Sequence, residues 1–121
     1  MDQAQALLTR LFDAYNRDDW AAFSTLVTPD IDWPNQTGDG RLIGHDALKS
    51  NWQENRRSIR VEWVPVAFTP LPDGRVQVDI NQSVYNATTG QLWSDTLVRH
   101  AYALRDGLVA QVDVEPLKAR S

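Results

Sequence analysis

Few side chains in this sequence could carry acid/base chemistry. The chain has two histidines and no cysteine. His100 lies within the β-rich segment 92–104, where an imidazole could act as a general acid or base near neutral pH. The alternative is a hydrogen-bonded histidine of the core. Asp32, which precedes Trp33 and Pro34, is the second candidate: it could be a base, or it could only cap a strand end or form part of a turn.

Two amides and a set of aromatic residues could contact a ligand. Asn35 could anchor a ligand by a hydrogen bond, or it could belong to a turn. Gln82 lies among apolar residues of a predicted strand, so it needs a partner, which could be a ligand, His100 or a buried water molecule. Six aromatic residues could form the walls of a pocket for a flat, apolar ligand, or part of an ordinary core: Tyr15, Trp20, Trp33, Trp52, Trp63 and Tyr102.

Composition excludes several classes of site. The absence of cysteine excludes disulfides, thiol nucleophiles and cysteine metal sites. The histidines are far apart and no Asp/Glu cluster has ligand spacing, so we expect no metal. No glycine-rich phosphate loop or nucleophile elbow is present, and we expect no cofactor. The net charge of −4 argues against a nucleic-acid partner.

Length and hydropathy indicate a small globular protein. The 121 residues are a common size for one core, so we expect a single domain over 1–121. No apolar run approaches the roughly 18 residues that a membrane helix needs. The first ten residues do not resemble a signal peptide. Together with the lack of cysteine, this leads us to expect a cytoplasmic protein.

The segment from Leu92 to Glu115 predicts a long β-hairpin. Asp106-Gly107 between two β-rich runs is a strong signal for a tight hairpin turn. The first run, from Leu92 to Leu104, would span about 43 Å if it were fully extended. A strand of that length seldom stays flat, so we expect it to bend within a curved sheet.

Apolar spacing predicts the remaining elements. Helices are expected at 3–16, 20–27 and 46–57, with Pro29 ending the second. Strands are expected at 31–36, 41–44, 59–68, 75–85, 92–104 and 108–115. Pro65 indicates a bulge or an edge strand. This order predicts an α+β fold in which three N-terminal helices pack on a strongly curved, mainly antiparallel sheet, forming a cone with an internal pocket.

Alternation along the long strand separates two faces of the sheet. His100 and Tyr102 share the side that we predict to be concave. The other side carries an apolar strip, which would be convex and exposed: Trp93, Leu97 and Ala101. Exposed strips of this kind usually mark an interface, so we expect a homodimer packed sheet to sheet through these residues.

Three stretches resemble the SnoaL-like branch of the nuclear-transport-factor-two-like superfamily: LLTRLFDAYNRDDWAAFSTLVTPDIDW, GRLIGHDAL and RHAYALRDGLVAQVDV. The resemblance covers nearly the whole chain. The superfamily includes ketosteroid isomerases, polyketide cyclases, scytalone dehydratase and limonene epoxide hydrolase. The resemblance implies a cone-shaped α+β domain with an apolar pocket, usually as a homodimer, but it does not specify a reaction.

Little of the known catalytic machinery carries over. Ketosteroid isomerases have an aspartate directly before a proline, whereas here Asp32 lies one residue earlier, which turns a strand side chain to the other face. Their tyrosine on the first helix matches Leu11, and their second acid matches His100. Limonene epoxide hydrolases have an Arg-x-Asp pair, but Arg99 is followed two residues later by Ala101. Scytalone dehydratase needs a second histidine, for which only His45 is present.

Two functions are compatible with these residues. The first is binding of a small apolar or polycyclic molecule, with acid/base isomerase, cyclase or dehydratase chemistry by His100 together with Asp32 or Asn35. The second is a non-catalytic ligand-binding or dimeric interaction module. A cone that tryptophan side chains fill would favour the second.

Overall fold

Three helices and one six-stranded sheet make up the computed structural model, which describes residues 2–35 and 40–116. The helices are α1 (Asp2–Asn16), α2 (Trp20–Ser24) and α3 (His45–Arg56). The strands are β1 (Val27–Pro34), β2 (Arg41–Ile43), β3 (Ile59–Pro70), β4 (Val76–Asn86), β5 (Leu92–Arg105) and β6 (Leu108–Pro116). Position 36, where we predicted β1 to end, lies outside the described residues. In the part of the chain described, no helix is both long and apolar enough to cross a membrane.

The strands are arranged in the order β2-β1-β6-β5-β4-β3. Every neighbouring pair is antiparallel except β1 and β6, which run parallel. The helices contribute to the core on one face of this open, curved sheet. The predicted fold class and the predicted order of elements are therefore confirmed.

The β5–β6 hairpin forms as the sequence predicts. Asp106 and Gly107 make its turn, with φ angles of 55° and 76°. Positive φ at both central residues is the requirement of a type I′ turn, and Gly meets it without steric cost. The register of β5 shifts near both of its ends. Against β4 it shifts between Val84 and Tyr85, opposite the start of β5, and against β6 it shifts between Ala103 and Leu104. Such irregularities increase the twist and bend of a sheet.

Both alternatives for Pro65 are confirmed together. β3 is an edge strand of the sheet. Its register against β4 shifts between Pro65 and Ala67, which is a bulge or a similar irregularity. A proline lacks the N–H of a strand ladder, so an edge position next to an irregularity accommodates it.

The predicted end of the second helix is wrong. α2 ends at Ser24, and Val27, which we expected to be helical, begins β1 and is paired with Val109. The Val109 N–H donates to the carbonyl of Leu26 at 2.9 Å. This pairing with a distant strand outweighs local helical spacing. Pro29 lies where the β1–β6 register is interrupted, so its missing N–H breaks no ladder bond.

Trp63 lies at the centre of the core and is 1% exposed. It packs against Phe12 of α1. The buried cluster that contains it draws side chains from α1, α2, α3 and five strands, its own β3 among them. Each large side chain that is fully buried contributes roughly 1.5–3 kcal/mol.

A side-chain amide fixes the edge strand to α1. Asn16 Nδ2 donates to the Trp63 carbonyl at 2.7 Å, and the Trp63 N–H donates to Asn16 Oδ1 at 2.8 Å. Because β3 has a strand on one side only, Asn16 occupies the two backbone groups of Trp63 that a further strand would otherwise bond.

This geometry predicts that Asn16→Ala destabilises the fold markedly. The variant leaves a backbone N–H and a carbonyl beside a buried tryptophan without partners, and each unsatisfied group costs about 1–3 kcal/mol. We expect the free energy of unfolding, measured with urea, to fall by about 2–4 kcal/mol. Gln53→Ala, which removes an exposed amide of α3, is the control and should change it by less than about 0.5 kcal/mol. Equal losses in both variants would contradict the assigned role of Asn16.

Candidate functional site

An aromatic recess opens between α3 and strands β1 and β3. Its lining comes from all three helices and both strands: Tyr15, Phe23, Trp33, Pro34, Leu48, Asn51, Trp52, Asn55, Arg56, Ile59, Val61 and Trp63. The recess encloses about 40 Å³. That volume can hold water, but it is far below the roughly 300–1,000 Å³ of ordinary small-molecule sites.

Four of the predicted aromatic residues do line the recess. Tyr15 stacks on Trp63 with ring centroids 3.7 Å apart and planes 10° apart, and its edge contact with Trp52 measures 5.0 Å. Trp33 lies 6.1 Å from Trp63 at an angle of 22°. Burial raises the pKa of Tyr15 to about 12, so its hydroxyl stays protonated at neutral pH. The walls are therefore flat, apolar and already packed against one another.

A charged cluster of Arg56 and Asp18 lies at the rim of the recess. The Arg56 guanidinium lies over the rings of Tyr15 and Trp52, at 4.9 and 5.2 Å, and donates to the Tyr15 carbonyl at 2.6 Å. Arg56 Nε lies 3.3 Å from Asp18 Oδ1, which also accepts from Trp52 Nε1 at 2.5 Å. Asp18 has a positive φ of 57°, a conformation that aspartate tolerates better than most residues. Asp18 thus connects the end of α1 to one face of α3.

His100 and Tyr102 form a hydrogen-bonded pair behind Trp63. Both are fully buried, and His100 Nδ1 lies 2.7 Å from the Tyr102 hydroxyl. The His100 ring meets Trp63 edge-on at a centroid distance of 5.2 Å and an angle of 89°. Neither residue lines the recess. Trp63 lines it and touches His100, so it lies between the recess and the pair.

Burial keeps both members of this pair neutral. It lowers the pKa of His100 to about 4 and raises that of Tyr102 well above its ordinary value. Within the described residues, His100 Nε2 is buried without a hydrogen-bond partner. We assign the Tyr102 O–H as donor to Nδ1, which leaves one unpaired group, the Nε2–H. The reverse direction would leave two, the Tyr102 hydroxyl hydrogen and the Nε2 lone pair.

Asp32 does not join His100. Its carboxylate lies 2.6 Å from Arg41 Nε, and its side chain is 32% exposed. Arg41 also reaches Asp113 at 3.1 Å. The neighbouring Trp33 points into the core, as expected for a strand in which successive side chains alternate. The structure therefore does not bring together the acid/base pair of His100 and Asp32 that we considered from the sequence.

The other candidates are distributed around the recess. Gln82 accepts a hydrogen bond from Trp63 Nε1 at 3.0 Å, a partner that the sequence did not predict. Trp20 packs on Phe23 and Trp52 but is absent from the lining. Asn35 follows the end of β1, where its N–H donates to the Gly40 carbonyl at 3.2 Å, and it does not line the recess.

The polar rim is the part that sequence reasoning missed. Arg56, Asn55 and Asp18 were not among the candidates. A signal was present, because Arg56 follows Trp52 by one helical turn and must share its face of α3. Asn51 and Asn55 show the same spacing, and Asn55 Nδ2 donates to Asn51 Oδ1 at 3.1 Å.

Throughout 2–35 and 40–116, no three His, Asp or Glu side chains are grouped as metal ligands.

A family model supports the resemblance seen in the sequence. The model of the SnoaL-like domain matches residues 8–112, which is most of the chain. The protein therefore belongs to the SnoaL-like domain family. No curated protein matches the chain in sequence.

Solved structures share the fold over nearly their whole length. A candidate polyketide cyclase from Xanthomonas campestris pv. campestris has a TM-score of 0.81 and 24% identity, covering 93% of this chain and 89% of its own. An NTF2-like protein of unknown function from Burkholderia pseudomallei also has 0.81, with 17% identity and coverages of 96% and 92%. TerC, co-crystallised with polyporic acid, has 0.80, with 17% identity and coverages of 94% and 91%. At these identities, the likeness establishes the fold alone.

The buried imidazole predicts a specific loss of stability in acid. The pKa of His100 is about 4 in the folded chain against an ordinary value of 6.5. Below pH 6.5 the imidazole binds a proton in the unfolded chain but not in the folded chain. The contribution of His100 to the free energy of unfolding therefore falls between pH 6.5 and 4 and is constant below that. This residue accounts for about 3 kcal/mol of that fall.

The measurement is urea unfolding of the wild type and of His100→Asn across this pH range. The substitution also changes the free energy of unfolding at high pH, where the imidazole is neutral in both states. Comparing how the two free energies change with pH removes that constant difference. The wild type should lose about 3 kcal/mol more than the variant between pH 7 and pH 4. Parallel curves would show that His100 is not a buried, neutral imidazole.

Proposed function

We propose that this protein binds a small, flat, apolar molecule in the aromatic recess. The observation that carries the proposal is the wall formed by Tyr15, Trp33, Trp52 and Trp63, which opens beside a polar rim. Aromatic faces suit a flat ring system, and stacked or edge-on pairs contribute about 0.5–1.5 kcal/mol beyond buried area. Donor groups of Arg56 and of the nearby amides suit a ligand with an oxygen atom at its outer end.

The enclosed volume limits how such a ligand binds. About 40 Å³ does not accommodate a polycyclic molecule, and by the criterion set from the sequence so small a space among tryptophan side chains favours a non-catalytic function over catalysis. A flat ligand would therefore stack at the opening, with only its edge in the enclosed space, unless wall residues move. TerC, a solved structure of the same fold, was co-crystallised with polyporic acid, which supports a small molecule as ligand.

Acid/base chemistry would use His100 as a hydrogen-bond donor. With a pKa of about 4, the imidazole is a weak base at neutral pH, and its Nε2–H, which lacks a partner among the described residues, would polarise a carbonyl oxygen only of a ligand that reaches it past Trp63. Asp32 is directed toward Arg41, and it would not supply the second group. An isomerase, cyclase or dehydratase of this design would work through polarisation of the ligand more than through proton abstraction.

A non-catalytic interaction module is the second candidate function. Trp93 is 54% exposed, and Leu97 and Ala101 lie on the same side of β5. Val64 on the edge strand is 48% exposed and pairs with Asn81, which in turn pairs with Leu97. Apolar side chains of β5 and of the edge strand β3, on either side of the polar Asn81 of β4, support a homodimer packed through this convex face.

A ligand screen tests the first candidate. Flat apolar molecules, including steroids, polyketides and terpenes, would be screened by thermal shift, and a ligand at 100 times its dissociation constant adds about 2.7 kcal/mol to stability. Val61→Phe fills the recess without removing an aromatic wall, so it should abolish the shift. Trp93→Ser, on the other face, should retain it. A ligand that stabilises the wild type and Val61→Phe equally binds elsewhere and contradicts the proposed site.

Sedimentation tests the second candidate. We expect the wild type to sediment as a dimer at micromolar concentration and Trp93→Glu as a monomer, because the variant places a charge in the apolar strip. Val61→Phe serves as the control and should remain dimeric. A wild type that is monomeric at this concentration would refute the interface.

A further inference from the structure

Trp63 occupies the position between the aromatic recess and the buried pair of His100 and Tyr102. Its ring is part of the recess lining and also contacts His100 at 5.2 Å. The His100 ring is 0% exposed and does not line the recess. A molecule that enters the recess therefore meets Trp63 before it can reach His100.

Trp63 is held at three places: the edge of its indole, one face of the ring and its backbone. Its Nε1–H donates to Gln82 at 3.0 Å, one face stacks with Tyr15 at 3.7 Å, and Asn16 bonds its backbone. Gln82 is the directly paired residue on β4. The ring can leave only if this hydrogen bond and this stacking contact are replaced.

The imidazole behind the indole has a nitrogen without a hydrogen-bond partner in the part of the chain described. His100 Nε2 is buried and unbonded among the described residues. A buried donor without a partner destabilises the fold, and a bound oxygen atom would remove that cost. The one polar atom of the Trp63 indole, Nε1, is a donor that is bonded to Gln82, so the ring cannot supply such an atom.

We propose that Trp63 is the specificity-determining residue of the recess, separating an outer compartment for stacked ligands from an inner one at His100. The inner compartment opens only to a ligand whose ring takes the place of the indole. Such a ligand is a flat aromatic molecule that carries an N–H or O–H group for Gln82 Oε1 and an acceptor for His100 Nε2–H. This inference rests on the proposed ligand-binding function of the recess and adds to it which ligands reach His100.

The test compares Trp63→Ala with Trp63→Phe and uses two probes: indole, which carries only the N–H group for Gln82, and benzimidazole, which adds an acceptor nitrogen for His100 Nε2–H. Benzimidazole should bind Trp63→Ala more tightly than indole does, and equal affinities would show that His100 contributes nothing to recognition. Removing the side chain leaves a buried void with aromatic walls, in which the Gln82 amide loses its indole partner, and buried voids of about 150 Å³ bind small aromatic rings. We expect Trp63→Ala to bind indole at least ~10-fold more tightly than the wild type by calorimetry. Binding should shift the NMR signals of the His100 and Tyr102 rings. Trp63→Phe retains a ring in this place, so it should bind no indole.

Several outcomes would overturn the inference. A folded Trp63→Ala that does not bind indole shows that the site is not a ligand compartment. Indole binding that leaves the His100 signals unchanged shows that Trp63 does not cover His100. If Trp63→Ala folds only when indole is added, that result supports the inference. If it fails to fold in either case, Trp63→Leu with benzene as the probe decides by the same two criteria.

This test is independent of the ligand screen on the wild type. A screen without stabilising ligands would remove the proposed function, while indole binding beside His100 in the variant would still establish the inner compartment. Conversely, a wild-type ligand that shifts only recess signals would support the function of the recess. A variant that then failed to bind indole would refute the role of Trp63.

Discussion

The two hydrogen bonds between the Asn16 amide and the backbone of Trp63 are the constraint on which the concave side depends. β3 is an edge strand, and a strand with one neighbour is free to move away from the core. By bonding the outward backbone groups of Trp63, α1 takes the place of a second neighbour. The indole is then positioned closely enough to stack on Tyr15 and to bond Gln82. The position of the recess wall therefore depends on the contact between α1 and the edge strand β3.

The electrostatics of the interior follow from that packing. Once Trp63 is in place, His100 and Tyr102 have no route to water, and each stays neutral because ionisation without solvent is costly. Charge is confined to the periphery, where Arg56 meets Asp18 and Arg41 meets Asp32. In the part of the chain described, His100 and Tyr102 thus form a neutral polar pair within a largely apolar core.

The sequence predicted what local rules determine. Asp106-Gly107 forms the expected turn, alternation along β5 placed His100 inside and Trp93 outside, and Pro65 marked the irregular edge. It failed where distant segments meet. Val27 leaves its helical pattern because β6 pairs with it. The partner of Gln82 depends on the register of β3, which nothing local specifies. The position of Asp18 beside α3 likewise depends on how two helices pack.

The irregular middle of β3 also bears on how copies of this chain can associate. An exposed strand edge is a template for strand addition and so for fibril growth. Here Pro65 lacks a donor, the register is broken beside it, and the outward groups of Trp63 are already bonded to Asn16. A seventh strand would find no continuous row of hydrogen-bonding groups. The device that positions the recess therefore also protects this edge of the sheet against strand addition.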